Sequence, residues 1–414
     1  MHYGCIAEHL KHSFSPEIHA ALAPYRYELR EIEPDKLEEF MLSRDFYGIN
    51  VTIPYKEKVI PYLAYIDKEA ERIGAVNTIV NRGGRLYGYN TDFYGMKALI
   101  TRLGLELCGK KVAVLGTGGT SRTACAVSEA LGASEVLRVS RSAKDGAISY
   151  EMLYGQHSDV RILINTTPCG MFPNPDAAAV DVTRFPMLEG VVDAVYNPLR
   201  PKLVLDAMKQ GIPAEGGLYM LVAQAVRASE IFLDKTYPPE VTERIYQRIF
   251  RQKENVVLVG MPGSGKSTVG RLLAERLGRE FVDMDECIVQ AAGKPISEIF
   301  AESGESGFRD LESRVLADVI AQRNSLVIAT GGGAILRDEN VQMLRRNGRL
   351  YFLDRPLDDL LPTDDRPLAS TREAIERRYH ERYGRYCAVA DVRIPVVGGA
   401  ADVAEEIGKE QDVL

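Results

Sequence analysis

Residues 110–121 read KKVAVLGTGGTS and residues 255–267 read NVVLVGMPGSGKS. In each, a short apolar run enters a glycine-rich turn that opens a helix-forming stretch. That order predicts a buried parallel strand, a tight turn and a helix. After the first stretch, EVLRVS (135–140), VRILIN (160–165) and GVVDAVY (190–196) predict further strands. After the second, EFVDMD (280–285), SLVIATGGG (325–333), RLYFLD (349–354) and DVRIPV (391–396) do the same. Both regions are therefore expected to be α/β with mostly parallel sheets. Before residue 100, YGINVTIP (47–54) and AVNTIV (75–80) belong to a third α/β pattern. No period of roughly 20–50 residues recurs, which excludes a repeat array.

A chain of 414 residues exceeds one ordinary domain of about 100–200 residues. The segment 238–252, PPEVTERIYQRIFRQ, starts with two prolines and spaces Val241, Ile245 and Ile249 at i, i+4, i+8. It predicts a terminal amphipathic helix, and strand NVVLV follows at once. The main boundary is placed there, giving 1–252 and 253–414 without a long linker.

The composition, 26% charged and 45% hydrophobic, is that of a globular protein and excludes disordered or collagen-like classes. The longest apolar runs fall short of the ~18–20 residues of a membrane span. The start MHYGCIAEHLKH lacks a signal-peptide pattern, so the expected location is cytoplasmic, with no membrane partner. A net charge of -7 with no long Lys/Arg run argues against nucleic acid. The six cysteines are scattered without a C-x-x-C pair and read as reduced thiols. His9, His12 and His19 lack a completing carboxylate or thiolate and suggest no metal site. The sequence leaves oligomeric state open, a homo-oligomer included.

Gly260-Met-Pro-Gly263-Ser264-Gly265-Lys266-Ser267 fits G-x-x-x-x-G-K-[ST], followed by Thr268. Its glycines let backbone N–H groups close round phosphate oxygens, and the helix N-terminus adds positive partial charge. Lys266 would reach the β/γ phosphates of a nucleoside triphosphate, and Ser267 would ligate Mg²⁺. Asp283 and Asp285 are expected at the end of the next strand, beside those phosphates. GESGFRDLE (304–312) sets Arg309 and Glu312 one turn apart on one helix face. TGGGAI (330–335) allows close backbone approach to a small ligand, DDRPLAS (364–370) offers Arg366 in a polar loop, and ERYGRY (381–386) adds Arg382 on a helix.

Together and in this order, GMPGSGKSTVGRLLAERLG, FVDMDECI, EIFAESGESGFRDLE and TGGGAIL resemble the shikimate kinase family across 254–414. The resemblance implies that Asp283 supports Mg²⁺ and that Asp285 holds and activates the substrate hydroxyl. It implies that Arg309 and Arg382 clamp the substrate carboxylate, with a backbone contact from Gly332. Arg366 would be the lid arginine over the transferring phosphate, an ATP contact and a catalytic group together with Lys266. Two departures stand out: a short, acidic lid segment DRPLDDLLPTDDRPLAS, and RYGRYCAVAD without the family's usual proline before Tyr386.

In the first region, Gly116-Thr-Gly118-Gly119-Thr-Ser121 is a dinucleotide-type turn. Where an NAD enzyme places an acid at the end of the next strand, this chain has Ser140-Arg141-Ser142 with Lys144 nearby. That set favours the 2′-phosphate of NADP(H). Lys56 follows NVTIPY and Asp92 ends YNTD. A Lys beside an Asp would let the ammonium donate to a substrate oxygen while the carboxylate fixes and tunes it. Ser13 and Ser15, just before Pro16, fit helix capping as well as ligand binding.

KHSFSPEIHAAL, GINVTIPYKEKV, GAVNTIV, GYNTDFYG, INTTPCGM, DAVYNP and GGLYMLVAQA resemble the shikimate dehydrogenase family across 1–252. The resemblance implies substrate binding by Ser13, Ser15, Thr52, Asn77, Asp92 and Gln224, with Tyr196 close by. It makes Lys56 and Asp92 the catalytic pair and places Thr166 and Met220 at the nicotinamide. It also implies two lobes: a substrate lobe (1–100 plus 215–252) and a Rossmann-like NADP lobe (101–214). A P-loop NTPase-type parallel-sheet kinase domain would follow. The double resemblance implies reduction of 3-dehydroshikimate to shikimate with NADPH, then phosphorylation of shikimate at its 3-hydroxyl by ATP. A ligand sensor that has lost the chemistry would show erosion at Lys56, Asp92, Lys266, Asp285 or Arg309, and none is eroded. An NAD-linked quinate oxidiser is the other alternative, and Arg141 speaks against it.

Overall fold

In a computed structural model of the chain, the described residues are 2–10, 13–144, 146–320, 323–360 and 371–412. Internal contacts divide it into two compact units, residues 1–249 and 250–414, with the break inside the helix Glu240–Lys253. No described helix is long and apolar enough to cross a membrane.

The first unit holds two sheets. One comprises β1 (Tyr3–Ala7), β2 (Tyr27–Glu31), β3 (Gly48–Val51), β4 (Tyr65–Ile66), β5 (Thr78–Arg82) and β6 (Arg85–Tyr89), in the order β2-β1-β3-β5-β6-β4. The ladders β2-β1, β1-β3 and β6-β4 are parallel, whereas β3-β5 and β5-β6 are antiparallel. The β5–β6 hairpin was not foreseen. It turns on Gly83 and Gly84, both at positive φ (60° and 83°), a backbone that suits a two-residue hairpin turn. The second sheet is wholly parallel: β7 (Lys111–Leu115), β8 (Glu135–Val139), β9 (Ile162–Asn165), β10 (Gly190–Asp193) and β11 (Ala214–Glu215), in the order β11-β10-β9-β7-β8. Its central strands β7, β9 and β10 are buried throughout apart from Lys111 and read as continuous apolar runs, as strands covered on both faces should.

Helices Thr91–Arg102 and Leu218–Leu233 pack against each other where the chain passes between the sheets. A Cβ on Gly95 would lie 2.5 Å from Met220 O, so only glycine permits this approach. The helix Leu218–Leu233 also packs on Ser15–Leu22, returning the chain to the first sheet as the two-lobed reading requires. In Glu240–Lys253, Val241, Ile245 and Ile249 are buried as their spacing predicted, and Tyr246 joins them to donate a 2.7 Å hydrogen bond to Glu215.

The second unit is one parallel sheet: β12 (Asn255–Val259), β13 (Glu280–Asp283), β14 (Leu326–Ala329), β15 (Gly348–Asp354) and β16 (Val392–Pro395), ordered β13-β14-β12-β15-β16. Apolar clusters cover both faces, one around Val257, Ile328 and Phe352, the other around Leu258, Leu273 and Tyr351. The strand order reverses across the central strand β12, which opens a crevice beyond its carboxyl end. The glycine-rich turn 260–265 lies there.

Candidate active sites

In the first unit the structure brings Lys56 and Asp92 together, with Lys56 Nζ 2.6 Å from Asp92 Oδ2. Lys56 lies in the loop after β3, and its carbonyl accepts from Val76 N at 2.8 Å. Asp92 sits in the first turn of Thr91–Arg102, a favourable place for a carboxylate. Asn90 caps that turn, accepting from Phe93 N (3.2 Å) and donating to Ala75 O (2.9 Å). The pair is mostly buried, with side chains 16% and 12% exposed, so its charges interact in reduced dielectric while solvent still reaches the edge.

Asn77 and Gln224 stand in the same polar group. Asn77 Oδ1 accepts from Thr91 N at 2.7 Å, and Gln224 Oε1 accepts from Thr91 Oγ1 at 3.3 Å and Asn77 Nδ2 at 3.5 Å. Thr91 is the residue sequence reasoning missed. Its signal lay inside YNTD, where a polar residue directly follows the N-cap Asn90 and precedes Asp92. Thr52 is half-buried in the loop between β3 and Lys56. Ser13 and Ser15 flank Phe14, whose ring lies 5.4 Å from that of Tyr196, bringing this segment beside Tyr196. Neither serine takes the N-cap position expected of it: Phe14 holds it without a side-chain cap, Ser15 is already helical, and the Ser15 N–H donates to Ser13 Oγ at 3.2 Å. Burial pushes the Tyr196 phenol up. His19 lies near this segment, on the helix Ser15–Leu22. It is buried, stacked on Tyr27 at 3.9 Å and held down to about 3 by burial, hence neutral.

Most of the residues expected to hold NADP(H) gather at the carboxyl ends of β7, β8 and β9. Gly116 has φ +117°, and a Cβ there would meet Thr166 Oγ1 at 2.7 Å. Gly118 caps the helix Gly119–Ala130, and a Cβ on Gly118 or Gly119 would point into open space. The first turn of that helix therefore presents its N–H groups to an uncluttered region, which fits a pyrophosphate. Thr166 Oγ1 donates to Leu115 O (2.6 Å), tying the ends of β7 and β9 together. Ser140 is half-buried; Arg141 and Ser142 are exposed, and Arg141 has no hydrogen-bond or ion-pair partner among the described residues. Met220 is buried on the helix Leu218–Leu233. Behind this mouth lies a group the sequence reading passed over, Asp193. It is fully buried, accepts from Asn165 Nδ2 and Val195 N at 2.9 Å each, and its Oδ2 has no partner.

In the second unit, Gly260, Gly263 and Gly265 all adopt positive φ (152°, 82° and 93°) around the phosphate-type loop, and Gly265 caps the helix Lys266–Leu277. Ser264 is fully buried with its Oγ unpartnered, and Thr268 is exposed in the first turn. Lys266 Nζ donates to Gly260 O and Met261 O, 2.9 Å each. Ser267 Oγ donates to Asp283 Oδ2 at 2.6 Å. These are hard oxygen donors beside a phosphate loop, which suits Mg²⁺ held by one or two protein oxygens and phosphate. Among the described residues no group of three or more His, Cys, Asp or Glu could hold a metal.

One placement differs from expectation. Asp283 ends β13 and caps the helix Met284–Ala292 by accepting from Asp285 N (3.0 Å), so Asp285 lies in the first helical turn rather than on the strand. The cap explains the early break. Arg309 donates to Glu312 at 2.7 Å, and both are buried. Burial pushes the Glu312 carboxyl up, Arg309 opposes this, and Asp285 adds to it. The glycines 331–333 wrap these groups. A Cβ on Gly331 would meet Glu312 Oε1 (2.7 Å) and Asp285 Oδ1 (3.0 Å), and one on Gly333 would overlap the Arg309 guanidinium. Arg382 Nη1 donates to Gly332 O at 3.2 Å, completing a cluster of Asp285, Arg309, Glu312 and Arg382 at the mouth of β14. Arg366 lies outside the described residues.

Comparison with known proteins covers both units. Residues 5–79 match the model for the shikimate dehydrogenase substrate binding domain, and residues 262–411 match the model for shikimate kinase. The chain is 38% identical over 265 residues to a shikimate dehydrogenase (NADP(+)) of Clostridium perfringens, covering 60% of this chain and 97% of that protein. It is 33% identical over 268 residues to a Methanosphaera stadtmanae protein of the same description, covering 58% and 94%. Among solved structures, shikimate dehydrogenase 1 of Peptoclostridium difficile is 33% identical with a TM-score of 0.56, covering 60% of this chain and 98% of that one. A Thermus thermophilus shikimate 5-dehydrogenase in complex with NADP(H) and shikimate is 28% identical with a TM-score of 0.54, covering 60% and 99%.

Proposed function

The chain belongs to the shikimate dehydrogenase family and ends in a shikimate kinase domain, and from that premise we propose that it performs two consecutive steps on one small cyclic carboxylate. The first unit reduces 3-dehydroshikimate to shikimate, and the second phosphorylates the 3-hydroxyl so formed. The observation that carries this reading is that each unit assembles the groups its own step needs. Lys56 and Asp92 stand 2.6 Å apart in one, and Lys266, Ser267, Asp283, Asp285, Arg309 and Arg382 surround one crevice in the other.

In the reductase, NADPH supplies hydride to the C3 carbonyl when bound. The Lys56 ammonium donates its proton to the oxygen that becomes the hydroxyl, and Asp92 holds that ammonium in place. Ser13, Ser15, Thr52, Asn77 and Gln224 hold the ring hydroxyls and carboxylate, and Tyr196 borders them. Gly116, Gly118 and Gly119 leave room for the pyrophosphate. Ser140, Arg141 and Ser142 take the 2′-phosphate, while Thr166 and Met220 flank the nicotinamide.

In the kinase, Arg309 and Arg382 face the carboxylate, matching its geometry with planar guanidinium donors. Asp285 accepts the proton of the attacking hydroxyl. Lys266 and the N–H groups of 260–268 neutralise the phosphates, and Ser267 with Asp283 would hold Mg²⁺, which offsets charge on the phosphate oxygens.

A one-pot assay with 3-dehydroshikimate, NADPH, ATP and Mg²⁺ tests the whole reading by following shikimate 3-phosphate. Shikimate that accumulates without being phosphorylated would remove the kinase half, and no consumption of NADPH would remove the reductase half.

A further inference from the structure

The kinase unit contains a hydrogen-bonded chain that none of the assigned roles uses. Lys266 Nζ donates to Gly260 O (2.9 Å), Tyr386 Oη donates to the same carbonyl (3.1 Å) and also to Gly332 O, and Arg382 Nη1 donates to Gly332 O (3.2 Å). The nucleotide lysine and the substrate arginine are thus joined through two carbonyls and one phenol. Tyr386 is fully buried, its ring stacked on Phe352 with centroids 5.1 Å apart, so the hydroxyl is held between the two loops. Arg382 and Tyr386 are four residues apart on the helix Arg372–Val389 and share one face.

We propose that Tyr386 is a positioning residue that couples nucleotide binding to binding of the carboxylate substrate. A phenol has one proton, so its two carbonyl acceptors share a single donor. With no triphosphate bound, Gly260 O also receives Lys266, and the Tyr386 proton is available to Gly332 O. When phosphate draws Lys266 away, Gly260 O keeps Tyr386 as its donor. The proton shifts toward it, and Gly332 O comes to rely on Arg382. That pins the Arg382 guanidinium against the 331–333 turn, where the substrate carboxylate is read. Nucleotide therefore tightens the acid substrate and, by reciprocity, the acid tightens nucleotide. The proposal rests on the kinase reading above.

In the nucleotide-free chain Tyr386→Phe keeps the stacked ring and orphans neither carbonyl, because Lys266 and Arg382 still serve them. The variant is thus expected to fold. The test is initial rates of ADP formation by the full chain over a grid of shikimate and ATP–Mg²⁺ concentrations, without NADP(H). In the parent chain, saturating ATP is expected to lower the KM for shikimate by about fivefold or more. In Tyr386→Phe that ratio falls to within about twofold of unity, kcat falls by less than about tenfold, and NADP-linked shikimate oxidation is unchanged. Phe352→Leu, which removes the stacking ring but leaves the chain of donors, lowers the melting temperature and keeps the ratio. A parent ratio near unity, or a Tyr386→Phe variant with the parent ratio, overturns the proposal while leaving the kinase reading intact. A parent chain that forms no ADP overturns both.

Discussion

Lys56 Nζ donates to Asp92 Oδ2 at 2.6 Å across 36 residues of sequence, from a loop to the first turn of a helix. A proton donor fixed in this way contributes about 10²–10⁴-fold to a carbonyl reduction. Lys56→Ala is expected to lower kcat for NADPH oxidation by about 10³-fold with a smaller change in KM, leaving ADP formation by the other unit intact. Lys266→Ala is expected to do the converse. Steady-state rates of both reactions on each purified variant check this. If either substitution removed both activities from a folded protein, the two sites would not be independent.

The parts of this molecule that could be read from sequence are those whose chemistry is local. The turns 116–121 and 260–267, and the Arg309–Glu312 spacing, carry their geometry within a dozen residues. The β5–β6 hairpin carried an equally local signal in Gly83–Gly84, but its strands contain Arg82 and Arg85 and do not alternate cleanly. Other features depend on tertiary distance. Asn77 meets Gln224 across 147 residues and Tyr386 meets Gly332 across 54, separations over which no periodicity operates. Asp193 was hidden differently: an acid at the end of an apolar run reads as a strand terminus facing solvent, yet here the strand end is covered on both faces.

Arg141 is exposed beside Ser140 and Ser142, so its substitution should alter ligand choice without disturbing packing. Arg141→Ser is expected to lower kcat/KM for NADPH by about 10–100-fold, the scale of losing one charged hydrogen-bonding partner of a phosphate, while kcat/KM for NADH stays within about twofold. Paired kinetics with the two cofactors measure it. An equal loss with both would place Arg141 away from the 2′-phosphate, and a parent enzyme preferring NADH would reopen the quinate-oxidiser reading.

Gly333 sits at φ -112°, a backbone that alanine adopts freely, so Gly333→Ala acts only through its methyl group. That methyl would overlap the Arg309 guanidinium, which Glu312 holds in place. Either the ion pair shifts or the turn does. The KM for shikimate in the kinase reaction is expected to rise by about tenfold or more, with the reductase unchanged. A Gly333→Ala variant with parental KM would mean that Arg309 relaxes without cost to the substrate.

Asp193 gives the reductase unit a pH dependence whose sign is fixed by burial. Desolvation pushes its carboxyl up to about 7 from an ordinary value of 3.8, opposed by the hydrogen bonds from Val195 N and Asn165. Between those pH values the folded chain keeps a proton that the unfolded chain has released. Stability from this group is therefore full below pH ~4, falls as pH rises toward ~7, and is flat above it, a span on the order of a few kcal/mol at most. Asp193→Asn keeps an acceptor for both donors and cannot ionise, so it lacks this dependence. Relative to the parent, the variant is expected to gain stability on going from pH 5 to pH 8, and all other titrations cancel in the difference. Calorimetry of the transition that NADP⁺ shifts upward measures it in both proteins at both pH values. A difference that stayed constant between pH 5 and pH 8 would mean that Asp193 does not titrate there. Its orphaned Oδ2 would then be stabilised by something other than a proton.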